Sequence, residues 1–380
     1  KKTNMKILFI VSTKFNPNSG VFGATFSLAQ QYQKLGHEVC YYTLDNLPLG
    51  LPGIVKLVLF PWFAAFHILK LSRQNLIDVV DSAASDAWVW AKIRQIFTDN
   101  YPLLVMRSHG LEQTLHLHNL EEVQNRDLSL SWKYWLYRGS IRLWQEAFTL
   151  HNSDLVFLLN HRDWKYAIEH LAAKPEQVKV VTNGIPEKFL SLTFRPMSES
   201  ENLKIGIAQV GTYISRKGIT YSVAALNAIL ARYPQVEVSF LGTGCSEIDV
   251  HRDFAPNLRD RIKVVPHYAH DNLPTLLKDH HIKLFPTLYE GFSLVLVEAM
   301  ACGLAAVTTA TPGSMEILKD GHNGILIPIR DSRAIEQALE KLITDRSTLE
   351  NLRCHAYTTA QNYSWQNIAQ DQLSLYEKAI

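Results

Sequence analysis

Short apolar runs, each closed by a glycine, a proline or a polar cluster, recur along the chain with room for one helix between them. The first set covers residues 5–11, 37–44, 78–82, 103–109, 154–160 and 178–183. A second set covers 204–211, 236–242, 261–266, 281–286, 305–311 and 324–329. Runs of this kind, apolar at nearly every position, predict strands buried on both faces. Their alternation with helical segments predicts α/β, doubly wound parallel sheets. One intervening helix is read from Phe26 to Leu35, closed by Gly36 and preceded by a Pro-Asn-Ser-Gly loop from Pro17 to Gly20. The polar stretch from Ser191 to Asn202, with Pro196 inside it, reads as a linker. The expected organisation is therefore two Rossmann-like domains, over 1–190 and 203–363, with a closing helix over about 364–380. Ligands of such sheets gather at the carboxyl ends of the strands, and the cleft between two halves is the default site.

The densest local signal lies in Pro286-Thr-Leu-Tyr-Glu290-Gly-Phe-Ser-Leu-Val-Leu-Val-Glu298-Ala-Met-Ala-Cys-Gly303. Pro286 stops the strand before it. Ser293 is placed to cap a helix over the apolar run from Leu294 to Cys302, and Gly303 falls where a helix end favours a left-handed residue. Glu290 then stands just ahead of a helix N-terminus and Glu298 about a turn and a half inside it. First-turn amides beside Gly291, Phe292, Ser293 and Leu294 form an anion site. Glu298 sits in a helix that is apolar nearly all round, so its carboxylate needs a partner, either a basic side chain or a ligand diol. Two acids flanking an anion site suit a ligand charged in its middle and hydroxyl-rich at both ends, as a nucleoside-diphosphate sugar is.

Composition narrows the field. The chain has 380 residues, 47% of them hydrophobic and 19% charged, which is ordinary for a folded protein long enough for two domains. Lys plus Arg number 38 against 36 Asp plus Glu, a net +2, so no nucleic-acid partner is expected. The cysteines Cys40, Cys245, Cys302 and Cys354 show no metal-binding spacing and fit reduced thiols. The apolar run from Ile7 to Val11 is short for the core of an export signal, so a cytoplasmic chain is expected.

Read together, these segments resemble glycosyltransferase family 4, retaining enzymes of the GT-B fold, nearly end to end. The resemblance rests on Glu290 and Glu298 as a Glu-x7-Glu pair, on Gly211-Thr-Tyr-Ile-Ser-Arg-Lys-Gly218, and on Asn183-Gly-Ile185 with Phe189. It rests also on Arg107-Ser-His109-Gly110, on Thr311-Pro-Gly-Ser-Met-Glu316 with Gly321-His-Asn-Gly324, and on Tyr363-Ser-Trp365. It implies transfer of a sugar from a nucleotide-diphosphate donor, UDP- or GDP-linked, to a carbohydrate or lipid-linked acceptor hydroxyl. It implies that Lys217 and Arg216 meet the diphosphate, that Glu298 takes the ribose hydroxyls, that Glu290 takes hydroxyls of the moving sugar, and that His109 faces that sugar. Gly20 and Gly23 resemble the family's glycine-bearing loop near the donor phosphates, and Gly211 and Gly242 back the nucleotide. One departure is Thr212, where the family places an arginine; Arg216 is the candidate replacement. No Asp-x-Asp occurs, so no metal and no cofactor beyond the co-substrate is expected.

The acceptor side is read from two aromatic segments. Residues 54–71 are apolar except at Lys56, Pro61, His67 and Lys70, and residues 131–150 mix Trp132, Trp135 and Trp144 with Lys133, Arg138 and Arg142. Either they are core helices of the first domain, or they lie on an anionic membrane surface at its inner face, as a lipid-linked acceptor would require. Rival functions are a nucleotide-sugar epimerase of the same fold and a non-catalytic sugar-binding protein. A nicotinamide oxidoreductase is disfavoured because no Gly-x-Gly-x-x-Gly follows the first strand.

Overall fold

The computed structural model describes residues 4–16, 20–96, 101–124, 129–197 and 204–380. Most of the expected Pro17–Gly20 loop and the far part of the expected linker, 198–202, lie outside the described residues. The chain divides into two compact units, Lys1–Gly184 with Trp365–Ile380, and Ile185–Ser364. The break falls at Gly184 rather than at residue 190, so Phe189 belongs to the second unit.

The first unit is built on β1 (Lys6–Val11), β2 (Glu38–Thr43), β3 (Val79–Ala83), β4 (Leu103–Arg107), β5 (Leu155–Leu158) and β6 (Val178–Val180). They pair in parallel in the order β2-β1-β3-β4-β5-β6. The second unit is built on β7 (Ile205–Val210), β8 (Val236–Leu241), β9 (Ile262–Val265), β10 (Ile282–Phe285), β11 (Ala305–Thr309) and β12 (Gly324–Ile327), in the parallel order β12-β11-β10-β7-β8-β9. All twelve expected strands form, because a parallel strand covered by helices on both faces has to be largely apolar. In each sheet the order reverses once, at β1/β3 and at β7/β10. Connections diverge there, which leaves a crevice at the strands' carboxyl ends.

One expectation fails in the first unit. Gly20 and Gly23 lie in the opening turns of a helix, Gly20–Lys34, not in a loop. Phe22, Ala24, Leu28, Ala29 and Tyr32 are buried along that helix, and this burial overrides the poor helix propensity of glycine.

The closing helix, Trp365–Ala379, is fastened to the first unit by a buried polar network. Arg107, at the end of β4, donates from Nε and Nη2 to Asp81 of β3 at 3.1 and 2.5 Å. Arg107 also donates to Gln372 Oε1 at 2.8 Å, and the Tyr376 hydroxyl donates to Asp81 at 2.5 Å. Tyr32 completes the set through Gln372 at 2.9 Å. Removing one member of a buried ion pair strands the other charge. Asp81→Asn is therefore expected to lower unfolding free energy by about 3–5 kcal/mol in urea denaturation, and Tyr376→Phe by about 1 kcal/mol.

A second network ties the strand-end loops of this unit. Asp86, after β3, accepts from Ser12 N at 2.7 Å, and Arg142 reaches both Asp86 and Glu112 at 3.6 Å. Arg142 is thus turned into the unit, not onto its surface. Glu146 is wholly buried and accepts from Glu112 N at 2.8 Å. Burial, with Glu112 as a like charge, pushes its carboxyl up to about 8. The folded protein therefore keeps a proton that the unfolded chain gives up near 4.5, and stability falls as pH rises between those values. Melting temperatures taken from pH 5 to pH 9 should show that decline in the wild type, and Glu146→Gln should flatten it.

Candidate functional site

The site grows from a close approach at the β7/β10 reversal. Gly218 follows a single 3-10 turn, Ser215–Lys217, and has φ +71°. A Cβ there would sit 1.9 Å from the Pro286 carbonyl oxygen, so only glycine lets the two loops touch. Leu288 N donates to Arg216 O at 2.9 Å, sewing the loop after β7 to the loop after β10. The consequence is electrostatic: Lys217 Nζ lies 2.9 Å from Glu290 Oε2, with both side chains about four-fifths buried. Arg216 itself is exposed, and only its backbone carbonyl joins this junction.

The next element is the helix Leu294–Ala301, in which Ser293 accepts from Leu296 N at 3.3 Å and Gly303 takes φ +80°. Both caps are as the residue pattern predicts. Gly313 N donates to Glu290 O at 2.8 Å, and a Cβ on Gly313 would press to 2.7 Å on the Gly291–Phe292 peptide. Loops after β7, β10 and β11 therefore converge on Glu290-Gly-Phe-Ser, in front of the first-turn amides. Gly211 (φ +129°) stands 4.0 Å, as an added Cβ, from Lys217 Cε, and Gly242 (φ +77°) backs onto Tyr268 at 2.9 Å.

Glu298 is 4% exposed and is bonded to His270 Nε2 at 2.8 Å. The required partner in this state is thus a histidine, placed by a ring contact of 5.6 Å with Phe189. Sequence reasoning missed His270, which lies in a polar stretch without helix or strand periodicity; Phe189, from the Asn-Gly-Ile…Phe segment, was the available signal. Among the described residues no group of three His, Cys, Asp or Glu side chains could hold a metal ion. A cavity lined by Gly206, Asp279 and His281 opens at the amino ends of β7 and β10, away from this site.

In the first unit His109 lies just beyond β4, with Gly110 at φ +138°. Its Nε2 is buried without a hydrogen-bond partner among the described residues. Burial and the Arg107 charge hold the imidazole down near 4, so it is neutral at physiological pH. Two surface segments of this unit are continuous. The helix Gly53–Arg73 buries Phe60, Ala64, Ala65 and Ile68 but leaves Trp62 55% and Phe66 71% exposed. Trp62 meets Trp88 at 5.6 Å, and Trp88 meets Trp144 at 5.5 Å. In the π-helical turn Tyr134–Arg142 and just before it, Trp132, Trp135 and Leu136 are exposed as well. Val55–Arg73 is long and apolar enough to cross a membrane by length and composition.

Comparison with known proteins gives a family match over part of the chain. Residues 204–345 match the family model for glycosyl transferases group 1. The gpi3 subunit of phosphatidylinositol N-acetylglucosaminyltransferase from Schizosaccharomyces pombe is 26% identical over 234 residues, covering 60% of this chain and 50% of the relative. The chain thus spans about half the length of that relative, as it does for others of the curated relatives it matches. Phosphatidyl-myo-inositol mannosyltransferase from Mycolicibacterium smegmatis is 28% identical over 382 residues, covering 98% of this chain and 94% of the relative. Among solved structures, Anabaena HepE in complex with UDP superposes with TM-score 0.72 at 17% identity, over 98% of this chain and 100% of that one, which speaks for the fold alone. The chain has the GT-B fold, and its residues 204–345 match the group 1 glycosyltransferases.

Proposed function

We propose that this protein transfers a sugar, with retained anomeric configuration, from a nucleoside-diphosphate sugar to an acceptor hydroxyl in glycolipid or polysaccharide synthesis. The observation that carries it is the Lys217–Glu290 contact at the β7/β10 reversal, with Glu298 buried in the adjoining helix. HepE's complex with UDP, and the phosphatidylinositol-directed names of two relatives, support this donor and acceptor chemistry. In this reading the donor diphosphate meets Lys217 and the amides ahead of Leu294, while Glu290 turns to hydroxyls of the sugar. Glu298 exchanges His270 for the ribose hydroxyls. The bond from the anomeric carbon to the diphosphate breaks as the bond to the acceptor oxygen forms on the same face. The acceptor proton passes to the departing diphosphate, and Lys217 stabilises the charge that grows there. Chelation by an Asp-x-Asp pair has no counterpart in the sequence, so neutralisation falls to Lys217, Arg216 and helix amides.

A thermal-shift panel of UDP, GDP, ADP and TDP, followed by transfer assays with the stabilising donor in excess chelator, tests this reading. One nucleotide should raise the melting temperature, and Lys217→Ala should lower turnover about 100-fold or more with the chelator present. Conversion of the donor without an acceptor, or wild-type turnover of the lysine variant, would overturn it.

The acceptor is inferred to be reached at an anionic membrane surface. The two segments carry Lys56, Lys70, Lys133 and Arg138, and neither Gly53–Arg73 nor Tyr134–Arg142 contains an Asp or Glu. Aromatic side chains at the headgroup level and cations facing anionic lipid are the chemistry of interfacial binding. The protein should float with phosphatidylcholine vesicles containing phosphatidylglycerol, less so with phosphatidylcholine alone, and Trp62→Ser with Phe66→Ser should weaken flotation. Absence of flotation with the anionic vesicles would exclude this surface.

A further inference from the structure

Lys283 is a buried cationic residue that neither the fold nor the motif assignments explain. It occupies the middle of β10, beside Ala208 of β7 and Ala306 of β11, and is 0% exposed. Its neighbours Ile282 and Leu284 face the main apolar core, so Lys283 and Phe285 share the opposite face, the one covered by the helix Leu294–Ala301. The Nζ has no hydrogen-bond partner among the described residues. It lies 5.3 Å from the centroid of the Phe285 ring, and Lys217 Nζ lies 5.3 Å from the same centroid. A lysine in a central parallel strand, unpartnered and sharing a ring with the diphosphate lysine, is costly unless something it acts on arrives later.

We propose that Lys283 is a positioning residue of the donor pocket, whose buried, unpartnered amine takes up a proton when a nucleoside diphosphate binds. This rests on the nucleotide-sugar reading of the site and adds to it a means of regulation by pH. Two groups act on the amine: Lys217, whose charge opposes protonation, and Glu298 on the covering helix, whose charge favours it. With burial dominant, the amine is held well below the ordinary lysine range. Of the other groups nearby, Glu290 is paired with Lys217 and Arg353 is bonded to Gly303 O and Glu350. Cys302 is kept a thiol by burial and Glu298, its pKa near 12. His270 is bonded to Glu298, and Tyr268 is kept a phenol by burial and that same carboxylate. The strands β7 and β11 flanking Lys283 contain no titratable residue. A bound diphosphate would neutralise Lys217 and supply the counter-charge that the amine lacks. The proton taken up would come from solvent, with no bond made or broken in the protein.

The test is calorimetry of UDP binding at pH 7.5 in buffers of differing ionisation enthalpy, with GDP, ADP, TDP and pyrophosphate as further probes. Wild type should take up a substantial fraction of one proton per UDP bound, and affinity should fall as pH rises. Lys283→Met, similar in volume and without the buried amine, should fold with an equal or higher ligand-free melting temperature. It should lose the uptake and bind UDP roughly tenfold more weakly at pH 7.5, since proton binding is linked to ligand binding. His270→Gln should keep the uptake. UDP binding without proton uptake, or uptake that survives in Lys283→Met, overturns the inference while leaving the proposed function intact. Failure of every probe to bind wild type overturns both.

Discussion

The second unit depends on one steric constraint. The turn after β7 and the end of β10 can touch only because Gly218 has no side chain against the Pro286 carbonyl. Contact at that point brings an ammonium and a carboxylate together from loops more than seventy positions apart in the chain. Neither loop would hold its charge in place alone. The Leu288–Arg216 backbone hydrogen bond and the Gly313–Glu290 bond fix the junction from two sides, so the geometry belongs to backbone packing and not to the salt bridge. An ion pair partly open to solvent adds little stability of its own. Its persistence here is a by-product of a frame that serves another purpose.

That purpose is visible in the balance of charge. Lys217 is neutralised by Glu290, and Glu298 is bonded to His270. Each partner is a side chain that can rotate away, whereas the carboxylate of Glu298 and the loop holding Lys217 are set by caps and close packing. In the proposed function, Lys217, Glu290 and Glu298 would stay paired in the absence of ligand and exchange these partners for a diphosphate and a diol. Buried polar groups left wholly unpaired are expensive, so satisfied but exchangeable pairs are the economical state of an empty polar site.

Most of this frame was legible because its physics is local. Twelve strands could be read from apolar runs, since parallel strands between helix layers admit few polar residues. Ser293 and Gly303 could be read because a cap and a left-handed terminus are one-residue requirements. The failures are equally physical. Gly20 and Gly23 read as loop from the Pro-Asn-Ser-Gly cluster and the resemblance, but burial of Phe22 and Ala24 carries the helix through them. Whether Arg142 faces the core or a membrane was left open by the sequence, and tertiary proximity to Asp86 and Glu112 shows it turned inward. His270 and Lys283 were passed over for opposite reasons: one sits in an aperiodic stretch, the other inside an apolar run that reads as a buried strand in spite of its lone lysine. Pairings that join distant segments leave no periodic trace in either segment.

The first unit shows how such a distant pairing governs chemistry. Arg107 ends β4 only two residues before His109, and its guanidinium is committed to Asp81, with Gln372 and Tyr376 of the closing helix completing the shell. The carboxylate of Asp81 partly offsets the Arg107 charge felt by His109, but burial and the guanidinium prevail and keep the ring neutral. A neutral imidazole can donate from one nitrogen and accept at the other, whereas a cation can only donate. The closing helix therefore does more than bury apolar surface. By holding Arg107 against Asp81, it fixes the field in which His109 ionises, and residues 365–380 thereby bear on a group located more than two hundred and fifty positions earlier in the chain.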